Sequence, residues 1–498
     1  MIKRLLIANR GEIAVRIIQT CRELGVETVA VFSDADRHAL HVALANQAVH
    51  IGPSGALQSY LNIPTVIEAA RTSEADAIHP GYGFLSQSPA FAAACAEAGV
   101  TFVGPPADVM TRMGSKIEAR QLMESAGVPV VPGAVPSDQT DLSLRRVIER
   151  IGFPALIKAS KGGGGKGMRL VDRGDDVAAS VQAARRESQA AFGDGTLYVE
   201  RVIARPHHIE VQVLADERGE VVHLFERECS VQRRHQKVIE ESPSPNVSPG
   251  LRRRLTESAI LAARASSYRN AGTIEFLVDL TSTDRDNAPF HFLEMNTRLQ
   301  VEHGVTEQVA GVDLVRAQLL VASGEPLPWR QETLAQRGHA IEARVYAEDA
   351  EHGFLPQAGR LLLYREPRMP GVRIDSGVRE GDEISVHYDP LIAKVIAHAE
   401  TRELAIARLL AALRAFPILG IVTNIPFLIR VLEHPSFRAG GIHTGFLDHE
   451  GAGLANGADE AVPPFVAAAL NAPETASGSV SGSGVDWDPW TRLPGWRA

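Results

Sequence analysis

The sequence has few cysteines and a deficit of positive charge. Its three cysteines, Cys21, Cys95 and Cys229, are widely spaced in 498 residues and form no CxxC pair. An odd, scattered set excludes a disulfide framework and a cysteine zinc site, and it favours a reducing compartment. Lysine and arginine number 51 against 60 acidic residues, a net charge of −9. This balance argues against a broadly basic nucleic-acid or membrane-surface binder but allows a local basic pocket.

Long apolar runs are also absent. No segment approaches the roughly 18 uninterrupted apolar residues of a membrane helix. Only four apolar residues precede Asn9 after the basic start, too few for a signal peptide, and Glu12 and Glu23 argue against a transit peptide. We therefore expect a cytoplasmic protein whose first residues form a strand.

The remaining composition is globular, with 45% hydrophobic and 22% charged residues, and the length suggests about three domains. The first hundred residues alternate between strand and helix signals, which predicts a parallel sheet covered by helices. The predicted strands are 3–8, 26–32, 77–78 and 100–103, and the predicted helices are 13–24, ending at Gly25, and 63–70.

The organisation changes after Pro105-Pro106. A helix is predicted over 111–127, followed by a rigid proline-containing connector over 128–133. A last unit is predicted from about 338 to 448. Residues 471–484 are rich in Ala, Ser and Gly, which is typical of a flexible linker. Three tryptophans, Trp487, Trp490 and Trp496, follow it. They fit a docking tail, the start of a truncated domain or an ordered C-terminus.

The most conspicuous motif is a run of four glycines bracketed by lysines within 158–168. It is not a Walker A loop, because Ser160 stands at the first glycine position and Gly167 follows Lys166. It is not a Rossmann fingerprint either, because it leads into a strand at 168–171 rather than a helix. Glycine backbone N–H groups and lysines suit phosphate oxygens, so we predict a phosphate-binding hairpin. The alternative is a flexible hairpin tip.

Two predicted strands, 273–280 and 290–296, carry candidate metal ligands. Glu294 and Asn296 share a face because strand side chains alternate, and hairpin pairing can bring Glu275 alongside. Two carboxylates and an amide are hard oxygen ligands suited to Mg²⁺ or Mn²⁺. Strand glutamates are more often solvated or salt-bridged, but the nearby phosphate loop favours the metal interpretation. Upstream, the cationic run 229–237 is either a solvated face or an anion site.

Taken together, these motifs resemble biotin carboxylase, the ATP-grasp component of biotin-dependent carboxylases. The resemblance extends from residue 1 to about 448. It is carried by the glycine loop and by segments 6–14, 79–86, 113–116, 232–237, 294–298, 300–303, 342–344, 347–349 and 388–390.

The resemblance implies a fold of mixed α/β and α+β class. We expect a Rossmann-like N-terminal domain over 1–112 and an ATP-grasp domain over 113–330 with a mobile lid at about 132–203. A C-terminal β-rich domain is expected over 336–448, followed by a linker and tryptophan-containing tail over 449–498.

The resemblance also implies an ATP-dependent ligase that forms a C–N bond. ATP and bicarbonate would form carboxyphosphate, whose breakdown supplies CO₂ and a phosphate base for the biotin ureido nitrogen. Carboxybiotin, ADP and phosphate result, as the first half-reaction of an acyl-CoA carboxylase. The implied cofactors are ATP and two Mg²⁺ or Mn²⁺ ions. No methionine flanks a lysine, so biotin is expected on a separate carrier protein or domain. A carboxyltransferase subunit is also implied as a partner, as is assembly into a homodimer or larger holoenzyme. Neither a nucleic-acid partner nor a membrane partner is implied.

Roles follow by resemblance, position by position. Nucleotide contacts are expected from Lys116, Lys158, Gly164, Gly165, His208, Gln232 and His235, from the adenine-hinge positions Glu200, Arg201 and Ile203, and from Leu277. Metal ligands are expected to be Glu275, Glu294 and Asn296. The bicarbonate pocket is expected to comprise Lys237, Arg298, Gln300 and Val301, with Glu302 as the base and Arg344 stabilising the biotin enolate. The catalytic set is then Lys237, Arg298, Glu302 and Arg344.

Two positions depart from the family pattern. Gln87 stands where many relatives carry Glu, and Gly304 replaces a common Pro; we expect neither to contact an assigned catalytic residue. One rival is another ATP-grasp ligase, of the carboxyaminoimidazole or D-alanine type, which would lack the 232–237 and 300–303 segments together. A silent nucleotide-binding subunit would be expected to lose Glu302, Arg298 or Arg344, yet all are present.

Overall fold

The computed structural model describes residues 2–136, 138–160, 167–173, 175–281 and 283–456. Most of the predicted phosphate loop, with Gly164 and Gly165, lies outside these residues, as do the linker and the three tail tryptophans. Within the described ranges, no helix combines the length and apolar character needed to span a membrane.

The N-terminal region contains the predicted parallel sheet. Its strands are β1 (Arg4–Ile7), β2 (Glu27–Phe32), β3 (Gln47–His50), β4 (Ala77–His79) and β5 (Thr101–Phe102), in the order β3-β2-β1-β4-β5. The helices are α1 (Gly11–Leu24), α2 (Leu40–Leu44), α3 (Ile63–Thr72) and α4 (Pro89–Glu97). Gly25 ends α1 in the left-handed conformation, with φ 69°, as predicted. The α/β fold class is therefore confirmed here, and β3, α2 and α4 are additions to the predicted elements.

The predicted continuous helix over 111–127 was wrong. The structure has two helices, α5 (Ala107–Gly114) and α6 (Lys116–Ser125). Ser115 between them has extended backbone, with φ −89° and ψ 108°, and its side chain accepts the Glu118 N–H at 3.3 Å. Serine is a favoured N-cap residue, so it starts a new helix instead of continuing the old one. The break puts Lys116 in the first turn of α6.

The segment predicted as a lid contains a small antiparallel sheet with two helices. Its strands are β6 (Gly133–Ala134), β7 (Ala155–Ala159), β8 (Arg169–Val171) and β9 (Leu197–Arg201), in the order β6-β9-β7-β8, and its helices are α7 (Asp141–Ile151) and α8 (Val177–Phe192). Side chains of both helices and three of the strands form a separate hydrophobic core. Strands β7 and β8 flank the glycine loop and pair with each other, as predicted.

The rest of the described chain combines long antiparallel strands with several strands of only two residues. The strands are β10 (His207–Ala215), β11 (Val221–Arg233), β12 (Gln236–Ser242), β13 (Asn270–Val278), β14 (Phe290–Asn296), β15 (His339–Tyr346), β16 (Glu348–Asp349), β17 (Leu355–Pro356), β18 (Gly359–Arg360), β19 (Leu363–Tyr364), β20 (Val372–Ser376), β21 (Glu383–Ile384), β22 (Leu391–Ala399) and β23 (Ile418–Leu419). The helices are α9 (Pro249–Ala265), α10 (His303–Ala310), α11 (Leu314–Ala322), α12 (Arg402–Arg414), α13 (Ile425–Glu433), α14 (Pro435–Arg438) and α15 (Phe446–Ala455).

Eight of these strands form one sheet, in the order β14-β13-β10-β11-β12-β15-β22-β20. Strands β12 and β15 pair directly, with Glu240 opposite Glu342, so the sheet crosses the domain boundary predicted at 330–336. One large core lies between α12, α13 and the β15–β22 side, and another lies between α9 and the β10–β13 side. This continuity brings residues from both predicted domains onto neighbouring strands.

Candidate functional site

Lys237, near the start of β12, is the centre of a buried group of charges. Its Nζ lies 2.9 Å from Glu275 Oε1 and 2.6 Å from Glu302 Oε1, and it also contacts Glu210. We call these four residues the Lys237 cluster. Burial opposes the ammonium charge, but the three carboxylates hold the Lys237 pKa well above its usual range. The cluster therefore keeps a permanent cation at the centre of the sheet.

Glu302 bridges two cations. While one carboxylate oxygen contacts Lys237, Oε2 accepts a hydrogen bond from Arg344 Nη2 at 2.8 Å. Burial alone would raise the Glu302 pKa, but Lys237, Arg344 and Arg227 hold it well below its usual range. Glu302 is only 1% exposed. It is thus an ionised, water-shielded acceptor between two fixed positive charges.

A second layer of buried polar groups supports the cluster. Arg227 is fully buried and donates from Nε to Glu210 Oε1 at 2.5 Å, with further bonds to Gln212 and Thr306. Arg344 also forms an ion pair with Glu240, which is fully buried on β12. The sequence predictions did not include Glu210, Arg227 or Glu240. A signal for Glu210 was present, because His208, Glu210 and Gln212 alternate on one face of an otherwise apolar strand.

The predicted metal ligands meet in the expected hairpin. Strands β13 and β14 pair Glu275 with Glu294, and Asn296 Nδ2 donates to Glu275 Oε1 at 2.8 Å. His208 Nε2 lies 2.9 Å from the other oxygen of Glu275. The donor set of two carboxylates and an amide fits a hard divalent cation. Burial would raise the Glu275 pKa, but Lys237 and His208 depress it, which favours the ionised carboxylate.

Arg298 is held by uncharged groups. It donates to Gln300 Oε1 at 2.6 Å, to Gln87 Oε1 at 2.9 Å, to the Leu299 carbonyl at 3.1 Å and to Asn296 Oδ1 at 3.4 Å. The expectation that Gln87 touches no assigned catalytic residue was therefore wrong. The sequence could not show this contact, because 211 positions separate the two residues.

The turn that carries Val301 and Glu302 is anchored by another unpredicted residue. Lys394 is fully buried on β22 and donates from Nζ to the Val301 carbonyl at 2.7 Å. The same Nζ lies 3.2 Å from Glu12 Oε1 and 3.5 Å from Asp375 Oδ2. A buried ammonium between two carboxylates and a carbonyl fixes the backbone immediately before Glu302.

The predicted nucleotide residues are only partly brought together. Lys158 Nζ pairs with Glu200 Oε2 at 2.9 Å, and Arg120 lies 3.3 Å from the other oxygen of Glu200. Burial opposes the charge of Lys158, but Tyr198 and Glu200 raise its pKa. Lys116 is half-buried, and burial lowers its pKa although Glu294 opposes this effect.

The remaining nucleotide candidates differ in their placement. Gln232 Nε2 contacts His208 Nδ1 at 2.6 Å, and Leu277 is half-buried opposite His208 in the β10–β13 pairing. Arg201 is exposed at the end of β9, with Ile203 half-buried just beyond it. His235 is exposed at the turn between β11 and β12.

Three family models match successive parts of the chain. The model of the biotin carboxylase N-terminal domain matches residues 1–110, and the carbamoyl-phosphate synthase L chain ATP-binding domain matches 115–330. The biotin carboxylase C-terminal domain model matches 342–449.

Sequence comparison with known proteins agrees with these family models. The methylcrotonoyl-CoA carboxylase subunit alpha of Glycine max is 50% identical over 95% of this chain and 64% of its own length. The biotin carboxylase of Halalkalibacterium halodurans is 48% identical over 90% of this chain and 97% of its own length. The chain thus spans less than two thirds of the methylcrotonoyl-CoA carboxylase subunits it matches first.

A solved structure is similar over the same region. It is the biotin carboxylase domain dimer of the Hydrogenobacter thermophilus 2-oxoglutarate carboxylase, in complex with MgADP, ADP and bicarbonate. The match has a TM-score of 0.86 and 40% identity, and it covers 92% of this chain and 100% of that one. The fold, the arrangement of the Lys237 cluster and these similarities lead to one conclusion: the chain belongs to the biotin carboxylase family of ATP-grasp ligases.

Proposed function

We propose that the chain carboxylates biotin with ATP and bicarbonate, giving carboxybiotin, ADP and phosphate. The observation that carries this proposal is Glu302 between Lys237 and Arg344, a buried carboxylate flanked by two cations. The similar domain from Hydrogenobacter thermophilus binds MgADP and bicarbonate, which supports the choice of ligands.

The first step needs a base, because bicarbonate is a poor nucleophile until it loses its proton. In the proposal, Lys237 and Arg298 bind the anion, and Glu302 accepts its proton. A bicarbonate ion that drew Lys237 away from Glu302 would weaken the interaction that depresses the Glu302 pKa. Glu302 would then become more basic when its substrate arrives.

ATP would bind between Lys116 and Lys158 on one side and the carboxylates of β13 and β14 on the other. Glu275, Glu294 and Asn296 are proposed to hold Mg²⁺ or Mn²⁺. Such an ion would neutralise phosphate charge during transfer to bicarbonate. Gly164, Gly165, His208, Gln232, His235, Glu200, Arg201, Ile203 and Leu277 remain predicted nucleotide contacts.

Arg344 is proposed to stabilise the enolate of biotin. Its guanidinium is held by Glu240 and Glu302, so it is oriented before the substrate arrives. Arginine suits this role because its charge is permanent and its hydrogen bonds are directional.

Biotin would be supplied by a carrier protein or domain, and a carboxyltransferase would use the carboxybiotin. The same proposal includes assembly into a homodimer or larger holoenzyme. It also includes a mobile lid at about 132–203 and the four predicted domain ranges, 1–112, 113–330, 336–448 and 449–498.

The test is ATP hydrolysis by the purified chain with Mg²⁺, measured with and without bicarbonate and free biotin. We expect bicarbonate to be required and free biotin to stimulate the rate. Folded protein that hydrolyses ATP at the same rate with and without bicarbonate would contradict the proposal.

A further inference from the structure

The three cations of the site have different kinds of partners. Lys237 contacts three carboxylates, and Arg344 contacts two. Arg298 has no carboxylate within 4.0 Å in the part of the chain that the structure describes, and all four of its acceptors are neutral oxygens. The charges of Lys237 and Arg344 are therefore already compensated by the protein, whereas that of Arg298 is not.

Gln87 supplies one of these neutral oxygens from a well-anchored loop. Asn9 Nδ2 donates to the carbonyls of Pro80 and Tyr82, at 2.7 and 2.6 Å. Directly after Gln87, Ser88 caps α4 by accepting the Phe91 N–H at 3.2 Å. Gln87 is thus placed between a loop tied to the N-terminal segment and the first turn of a helix. The hydrogen bond between Gln87 and Arg298 therefore connects two distant parts of the chain from a position that is held on both sides.

The chemical identity of this acceptor matters to an anion. An amide oxygen orients a guanidinium without neutralising it, whereas a carboxylate forms a charge-assisted and often bidentate pair. A carboxylate at position 87 would lie against Arg298 Nε, where the amide now lies at 2.9 Å. It would compete with any anionic ligand of the same guanidinium.

We propose that Gln87 is a positioning residue that orients Arg298 while leaving its positive charge available to bicarbonate. The chain then binds bicarbonate more tightly than it would with glutamate at position 87. This inference rests on the proposed function, and it assigns a consequence to one of the two positions where the sequence departs from its family pattern.

The experiment compares Gln87→Glu and Gln87→Ala with wild type in bicarbonate-dependent ATP cleavage. Gln87→Glu is expected to raise the KM for bicarbonate about three- to tenfold, a modest effect because the contact is solvent-exposed. The KM for ATP should stay within about twofold, because the new charge faces Arg298 and not the nucleotide end. Gln87→Ala removes the acceptor without adding charge, so its KM for bicarbonate should rise by less than that of Gln87→Glu.

Gln47→Glu is the matched control. Gln47 is exposed on β3 at the edge of the N-terminal sheet, so the variant makes the same change of charge away from the site. Its KM for bicarbonate should equal that of wild type.

Two results would overturn the inference. One is a KM for bicarbonate in Gln87→Glu equal to that of Gln47→Glu. The other is an equal rise in Gln87→Ala and Gln87→Glu, which would assign the effect to lost geometry and not to charge. A wild-type enzyme without any bicarbonate dependence would instead contradict the proposed function, so the two failures are distinguishable.

Discussion

Two parts of the candidate site are built on different sheets. The part proposed to bind nucleotide through Lys158 and Glu200, called here the nucleotide end, lies on strands of two to five residues that have their own small core. The anion end, with Lys237, Glu302 and Arg344, lies on and beside a sheet whose strands have five to thirteen residues. The first end has one lysine–glutamate pair backed by Arg120, and the second has an interlocked set of buried charges.

This difference suggests that the two ends have different structural requirements. Proton removal from a small anion requires groups fixed to within a fraction of an ångström, which a long sheet and a network of buried ion pairs provide. A segment proposed to admit a nucleotide is better built as a small unit with its own core. Substitutions at the anion end should therefore affect chemistry and stability together, and those at the nucleotide end should mainly affect ATP binding.

The largest effect is expected from Glu302→Gln. Loss of the base should reduce bicarbonate-dependent ATP cleavage and biotin carboxylation together, by about 10²–10⁴-fold. Both rates are measured on the same preparation, with a thermal melt to check folding. If either rate stayed near the wild-type value, Glu302 would not be the base that takes the proton.

Arg344→Gln should separate the two reactions. If Arg344 acts only on the biotin enolate, carboxylation should fall much further than bicarbonate-dependent ATP cleavage, which becomes uncoupled. The ratio of ATP cleaved to carboxybiotin formed is the readout. An unchanged ratio would mean that Arg344 serves Glu302 and not biotin.

A pair of lysine variants compares the stability of the two ends. Lys394→Met leaves the Val301 carbonyl and Glu12 without their buried cation, so we expect a loss of about 3–5 kcal/mol in the free energy of unfolding. Lys158→Met should cost less, because Glu200 keeps Arg120. Urea unfolding measures the free energy of unfolding of both variants. Equal losses would contradict the proposed difference in stability between the two ends.

The last prediction concerns Glu240 and pH. Burial, only partly offset by Arg344, raises the pKa of Glu240 to about 7, above the value of about 4.3 for an unfolded glutamate. The stabilising contribution of its protonated form is fully present below the unfolded value and is lost as pH rises through about 7. Glu240→Gln cannot ionise, so its stability relative to wild type should increase between about pH 5 and 8.

The control for this last variant is Glu220→Gln, which removes an exposed carboxylate. Urea midpoints at several pH values give the comparison. A difference between Glu240→Gln and wild type that is constant across this pH range would show that Glu240 is ionised throughout.

Local signals predicted much of the fold. Gly25 ends α1 because glycine adopts the left-handed conformation at low cost, and that information is contained in one residue type. The placement of Glu275 beside Glu294 and Asn296 followed from strand alternation and from hairpin pairing of two consecutive strands. The break at Ser115 was missed because the apolar periodicity continues through it, although a serine ahead of a glutamate at capping distance was the available signal.

The sequence by itself determined the family, the fold class and the set of candidate residues, because these depend on residue types at short spacing. Only the tertiary structure decided which charges meet. Glu210 and Arg227 support Lys237, Lys394 anchors the turn before Glu302, and Gln87 reaches Arg298 across 211 positions. Such partners come from strands and loops far apart in the chain, and pairing between them is fixed by sheet register and packing. The spacing of residues along the chain does not indicate which of these distant side chains will pair.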